Sequence, residues 1–152
     1  MQRSHLIGLI CLAIVFFLVV SALLARGFSV TGAEDAAVTN LVKAEARGDR
    51  NGVVSLISGC RTDAGCRARA ALNATALERR GSVSIIQITP SSGFSVAGSL
   101  STARVAWLVG SSLPRVQCVR VLESGNLLQG FSIHLLKVSL RIKSDRACPS
   151  RF

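Results

Sequence analysis

His134 is the side chain of this sequence with the clearest opening for acid–base chemistry. In the run Gly130–Ile142 it alternates with Leu136, Val138 and Leu140, so a strand there would turn the imidazole towards an apolar interior. A neutral imidazole in that setting binds a small ligand or acts as a base. A lone strand histidine also serves as a satisfied structural residue. Trp107 and Arg104 join His134 as the candidate ligand-binding residues, the arginine as a polar anchor. Catalysis finds less support. The eight acids, Glu34, Asp35, Glu45, Asp49, Asp63, Glu78, Glu123 and Asp145, all fall on expected helices, caps, turns or the tail. There is no tyrosine to donate to an enolate, no nucleophile-elbow sequence and no glycine-rich phosphate loop. No catalytic residue and no cofactor are assigned.

The cysteines carry a different chemistry. Cys11 lies in an apolar segment, which leaves the even set Cys60, Cys66, Cys118 and Cys148. An even set beyond an export signal reads as disulfides. Zinc is the rival, but C-x5-C and C-x29-C lack the tight knuckle that holds a tetrahedral ion, so no metal site is expected. Of three possible pairings, Cys60 with Cys66 is preferred because they flank a short connection between two expected helices. That leaves Cys118 with Cys148.

Charge points to a third chemistry. Eighteen Lys and Arg stand against eight Asp and Glu, a formal net charge of +10, and arginine supplies 15 of the 18 cations. Arg61, Arg67, Arg69, Arg79 and Arg80 crowd one expected helix and its end, and Arg104, Arg115, Arg120 and Arg141 sit on expected strands. Guanidinium forks suit phosphate and carboxylate, so anionic lipid headgroups or envelope polymers are the expected partners. The plain alternative is a solvated arginine-rich surface. Nucleic acid is not expected, because aromatic residues for base stacking are scarce and the domain reads as exported.

The elements that must position these groups can be read in order. Leu6–Ala25 (LIGLICLAIVFFLVVSALLA) carries no charge, and about 20 apolar residues match a hydrocarbon core of roughly 30 Å. A membrane-spanning helix is therefore expected over 6–25, behind a cytoplasmic N-terminus at 1–5. A cleaved signal peptide is the rival, although its apolar core would be only roughly 7–15 residues. The N-terminus and Arg3 before the span, with no acid, against Arg26 and then Glu34 and Asp35 after it, mildly favour an extracytoplasmic C-terminal part. The expected localisation is a single-pass protein of the cell membrane. Residues 26–33 read as a linker, 34–148 as an exported α+β domain and 149–152 as a tail.

Within that domain, Ala37, Leu41 and Ala44 recur at helix spacing beside Val38 and Val42. Gly48 stops that helix and Asp49 caps a second, which buries Val53, Leu56 and Ile57. Thr62 or Asp63 starts a third, with Cys66, Ala70, Ala74 and Leu77 on one face. The period then changes to two. Strands are expected at Ser82–Thr89, around Ala103–Val109, at Val116–Leu122 and over Gly130–Ile142, joined by the loop Ser91–Ser101 and turns at 110–114 and 124–126. The fold class is α+β: about three helices on a curved antiparallel sheet of about four strands, behind the N-terminal span.

Ala37–Ser58 (AVTNLVKAEARGDRNGVVSLIS) resembles the opening of the nuclear transport factor 2-like (SnoaL-like, cystatin-related) superfamily, where an amphipathic helix ends in Gly-Asp before a short Val/Leu helix. RVAWLV, VQCVRV and GFSIHLLKVSLRI are similar to the long strands of that cone-shaped sheet. The resemblance covers about residues 34–142. It implies a cone whose enzymes place Asp, Tyr or His in the pocket, and no such residue carries over here. A span followed by a cone also resembles bitopic bacterial envelope proteins, among them an inner-membrane subunit of type IV secretion machines and Mce-associated proteins. The expected function is a membrane-anchored envelope protein whose cone is a binding or assembly module, as a homodimer or a membrane-complex subunit. The alternative is a small-ligand carrier or enzyme using the pocket around His134.

Overall fold

Val38, Leu41 and Val42 on the first helix, Val53 on the second, and Ala70, Ala74 and Leu77 on the third are all buried at helix spacing. They pack on Ala103, Val105, Trp107 and Val109, which alternate along a strand. The computed structural model describes residues 2–89, 99–126 and 130–152, with side chains described in those ranges except at 2–6, 23, 25–31, 126 and 130. The side chains of the expected segment 1–5, and the centre of the loop expected over Ser91–Ser101, lie outside the described residues.

The order is α1 (Gln2–Ala46), α2 (Arg50–Leu56), α3 (Ala64–Leu77), β1 (Val83–Thr89), β2 (Ser99–Val109), β3 (Arg115–Asn126) and β4 (Gly130–Val138). The strands form an antiparallel meander in the order β1-β2-β3-β4, with α1, α2 and α3 against one another and α1 on the sheet. This is the expected α+β segregation of helices and strands.

Helix ends are set locally. Gly48 leaves α1 at φ +70°, a left-handed value that suits glycine, and its amide bonds the Glu45 carbonyl at 3.0 Å. The Asp49 carboxylate accepts from the Gly52 amide at 2.8 Å, and Asp63 accepts from the Cys66 amide at 3.1 Å, capping α2 and α3. After α2, Ser58 donates its amide to Leu135 of β4 at 2.7 Å, which ties the helical layer to the sheet edge.

Two expectations about the N-terminal part are corrected. Among the described residues no helix is long and apolar enough to cross a membrane, contrary to the span expected over 6–25. Nor is 26–33 a linker between elements, because α1 continues through it as one 45-residue helix.

The strands also differ in detail. β2 begins at Ser99, inside the expected loop, and β3 runs through Ser124 and Gly125, where a turn is expected. β4 ends at Val138 instead of reaching Ile142. The chain leaves it at Ser139, whose amide still bonds the Cys118 carbonyl at 2.8 Å, and touches β3 once more where Ile142 pairs with Val116.

Cys60 is bonded to Cys66, and Cys118 to Cys148. The second bridge pins the tail to the sheet face opposite the helices. There Arg104 donates to the Ser144 carbonyl and Arg120 to the Ser150 carbonyl, and the Phe152 ring lies 5.8 Å from the Arg120 guanidinium. Val116 and Cys118 are buried on this face in consequence. In the loop-entropy account, the bridges closing 6- and 30-residue separations contribute about 2 and about 4 kcal/mol. Cys118→Ser/Cys148→Ser is accordingly expected to lower unfolding free energy about twice as much as Cys60→Ser/Cys66→Ser, measured by denaturant titration of each variant. Equal losses would contradict that assignment.

Candidate functional site

The three residues read as ligand-binding do not converge. Trp107 is fully buried on the helix-facing side of β2. Arg104, three residues away and of opposite parity, projects to the tail side and is held by Ser144. His134 is exposed and pairs across the strands with Leu122, on the tail-facing side. Its expected inward direction is corrected by a bulge. Register shifts between Arg120 and Val121, where Lys137 and then Leu135 are the partners, so Leu136 is the extra residue. The bulge puts Leu135 and Val138 both into the core and turns His134 out, where its Nε2 lies 3.1 Å from the Ser132 hydroxyl.

A different set of polar side chains meets inside the fold. Glu45 of α1, Asn73 of α3 and Gln117 of β3 are each at most 1 % exposed. Asn73 Nδ2 donates to Glu45 Oε1 at 2.8 Å and to the Ser139 carbonyl at 3.0 Å. Gln117 Nε2 donates to that carbonyl at 3.3 Å, while Gln117 Oε1 accepts from the Trp107 indole at 2.9 Å. The Ser139 hydroxyl accepts from the Cys118 amide and donates to the Leu140 carbonyl. Glu45 Oε2 makes no hydrogen bond. Burial pushes the Glu45 carboxyl up to about 7, against the Asn73 hydrogen bond and the nearby Gln117 amide, which favour its ionised form.

Beyond its expected place on a helix, the spacing of Glu45 carries a signal. Glu45 follows Val38 by seven residues, Leu41 by four and Val42 by three, so it lies on the buried stripe. Asn73 stands between Ala70 and Leu77 in the same way, and Gln117 shares its parity with Val119 and Val121.

At the end of this network lies a cationic cluster. Arg115 is 6 % exposed, donates to the Leu77 carbonyl at the end of α3 at 2.9 Å, and stacks 5.5 Å above the Trp107 ring. Burial, then the charges of Arg79 and Arg141, push its pKa down. Beside it opens a cleft of about 520 Å³ lined by Pro114, Arg141, Lys143 and Ser144, with Asp145 its one acid. A second cleft, of about 420 Å³, runs along the Cys60–Cys66 bridge past Arg69, Lys137 and Phe152. At the other end of the core, Glu34 is buried with Oε1 unbonded, and burial, Asp35 and Glu123 raise its pKa. Among the described residues no group of three or more His, Cys, Asp or Glu side chains is arranged to hold a metal ion.

Neither a protein-family model, nor a curated protein, nor a solved structure matches this chain.

The buried carboxyl gives a signed pH dependence. Unfolded Glu45 titrates near 4.5 and folded Glu45 near 7, so between those values the folded state alone keeps its proton. Stability from this group is complete below 4.5 and is lost as pH rises through about 7, by up to about 3 kcal/mol. Glu45→Gln keeps an acceptor for Asn73 and removes the titration. The difference in Tm between variant and parent, followed from pH 4 to 8, is expected to shift steadily in the variant's favour; a constant difference would mean that folding leaves the Glu45 carboxyl unshifted.

Proposed function

We propose that this protein is a binding module working in an oxidising compartment, and that its ligands are anionic. The observation carrying this reading is the set of guanidinium groups at Arg79, Arg115 and Arg141: among the described residues, no carboxylate lies within ion-pair distance of any of them. Arginines placed to repel one another favour a negatively charged partner. The net charge of +10 draws such a partner from a distance. The two disulfides support an oxidising environment, since a reducing one would keep four thiols free. The order of three helices and a four-stranded meander is compatible with the nuclear transport factor 2-like resemblance, read here as a scaffold for binding.

A pocket enzyme or carrier built on His134 has less to stand on. Trp107 faces the helices while His134 and Arg104 lie on the tail side, Arg104 held there by Ser144, and the helix-facing interior around Trp107 is filled by amides and a carboxyl that bond one another. Chromatography of the full chain tests the binding reading. Retention on immobilised heparin is expected up to about 0.3 M salt, where the Debye length falls to roughly 5–6 Å, with no retention on neutral dextran. Elution from both matrices at the same low salt would remove the proposal.

A further inference from the structure

The charges of Arg79 and Arg141 reach Arg115 where α3, β3 and the segment after β4 meet, and Lys143 lines the cleft beside Arg141. Arg115 opens β3 and pairs in register with Trp107. Arg79 stands two residues beyond Leu77, the carbonyl to which Arg115 donates, and its own backbone amide is fixed to the Ala46 carbonyl at 2.9 Å. Arg141 precedes Ile142, which is laddered to Val116 at 2.8 Å, and Lys143 follows it. The Arg79 side chain donates to the Glu78 carbonyl, and among the described residues the rest of its fork and the Arg141 side chain have no hydrogen-bond partner. Holding like charges together is unfavourable, and the helix C-termini at Ala46 and Leu77 offset only part of that. Asp145 is the one acid lining the adjoining cleft.

We infer that Arg79, Arg115 and Arg141 form a specific site for a phosphate group, entered through the cleft beside Arg141 and Lys143. A carboxylate brings one negative charge and two acceptors. A phosphate monoester or pyrophosphate brings two or more charges and at least three acceptors, which suits three forks aimed from different elements. Arg115 is the pre-oriented member, because Leu77 and the Trp107 ring already fix its plane. The inference rests on the anion-binding reading above and gives it an address.

The protein contains its own reporter. Trp107 is the sole tryptophan, tyrosine is absent, and the Arg115 charge sits 5.5 Å from the indole. An anion that draws this guanidinium alters the field at the ring and hence its emission. The full chain is titrated, without divalent cations, with pyrophosphate, with acetate at matched ionic strength, and with vesicles of phosphatidylcholine alone or mixed with phosphatidic acid, whose headgroup is a phosphate monoester.

A saturable change with pyrophosphate, absent with acetate, is the expected result for a free phosphate ligand. A change only with the phosphatidic acid vesicles assigns the same site to a lipid phosphomonoester. Arg79→Gln and Arg141→Gln, both at exposed positions, are expected to raise the midpoint at least tenfold, while Arg151→Gln leaves it in place. Flat emission with every phosphate probe, an equal response to acetate, or unchanged midpoints in both variants overturns the site. Should heparin retention persist alongside any of these, the protein binds anions elsewhere and only this address is lost.

Discussion

A single backbone carbonyl, that of Ser139, accepts from amides on two different layers of this protein. Asn73 reaches it from α3 and Gln117 from β3, and each amide then extends the chain of hydrogen bonds to a further buried group, Glu45 and Trp107. Polar groups removed from water destabilise a fold unless they find partners, so these contacts admit few alternative arrangements. Ser139 therefore explains why β4 stops where it does. A strand carried on to Ile142 would keep its carbonyl in the ladder, and the amides of Asn73 and Gln117 would lose their common acceptor.

That constraint reaches the surface through Trp107. The indole cannot shift without breaking its 2.9 Å bond to Gln117, so the ring is a fixed floor for the Arg115 guanidinium. Leu77, whose carbonyl takes the other contact, belongs to the same helix as Asn73. Arg115 is thus held by two elements that the buried network already locks together. A guanidinium immobilised during folding has little rotamer freedom left to lose on meeting a ligand. The buried carboxyl and the exposed charges are consequently parts of one assembly, joined where the Ala46 carbonyl, next to Glu45, accepts the Arg79 amide.

Much of this was legible in the sequence wherever the signal was local. Asp49 and Asp63 cap helices because an acid before an apolar-periodic run accepts orphan amides, and Gly48 ends α1 because its φ is positive. The cysteine pairing followed from a short connection between helices. His134 was misread because strand parity holds only until a bulge, and nothing in GFSIHLLKV announces an extra residue at Leu136. Glu45, Asn73 and Gln117 could have been found, since each occupies an apolar phase of its element. They were passed over because a charged or amide side chain on a helix is ordinarily read as solvated. The apolar N-terminal stretch showed the reverse problem: composition alone favoured a span and a linker, whereas one helix continues from Gln2 to Ala46.

The two faces of the sheet are closed by different means, and the difference bears on function. The helix side is closed by burial, with Val105, Trp107, Val119 and Val121 under α1 and α3. The opposite side has no helical layer; the tail covers Val116 and Cys118 through a disulfide and two arginine-to-carbonyl bonds. That same tail begins with the segment bearing Arg141 and Lys143. Ladder bonds at Ser139 and Ile142 and the bridge at Cys148 hold it at three points, so the chain that seals the outer face also delivers cations to Arg115. A core-only fold of this size could leave its last 14 residues loose. Here they are fastened covalently, and the fastening leaves the cationic end of the sheet open to solvent beside the cleft at Arg141. The ladder bonds at Ser139 and Ile142 place Arg141 beside Arg115, and the disulfide fastens the chain beyond it.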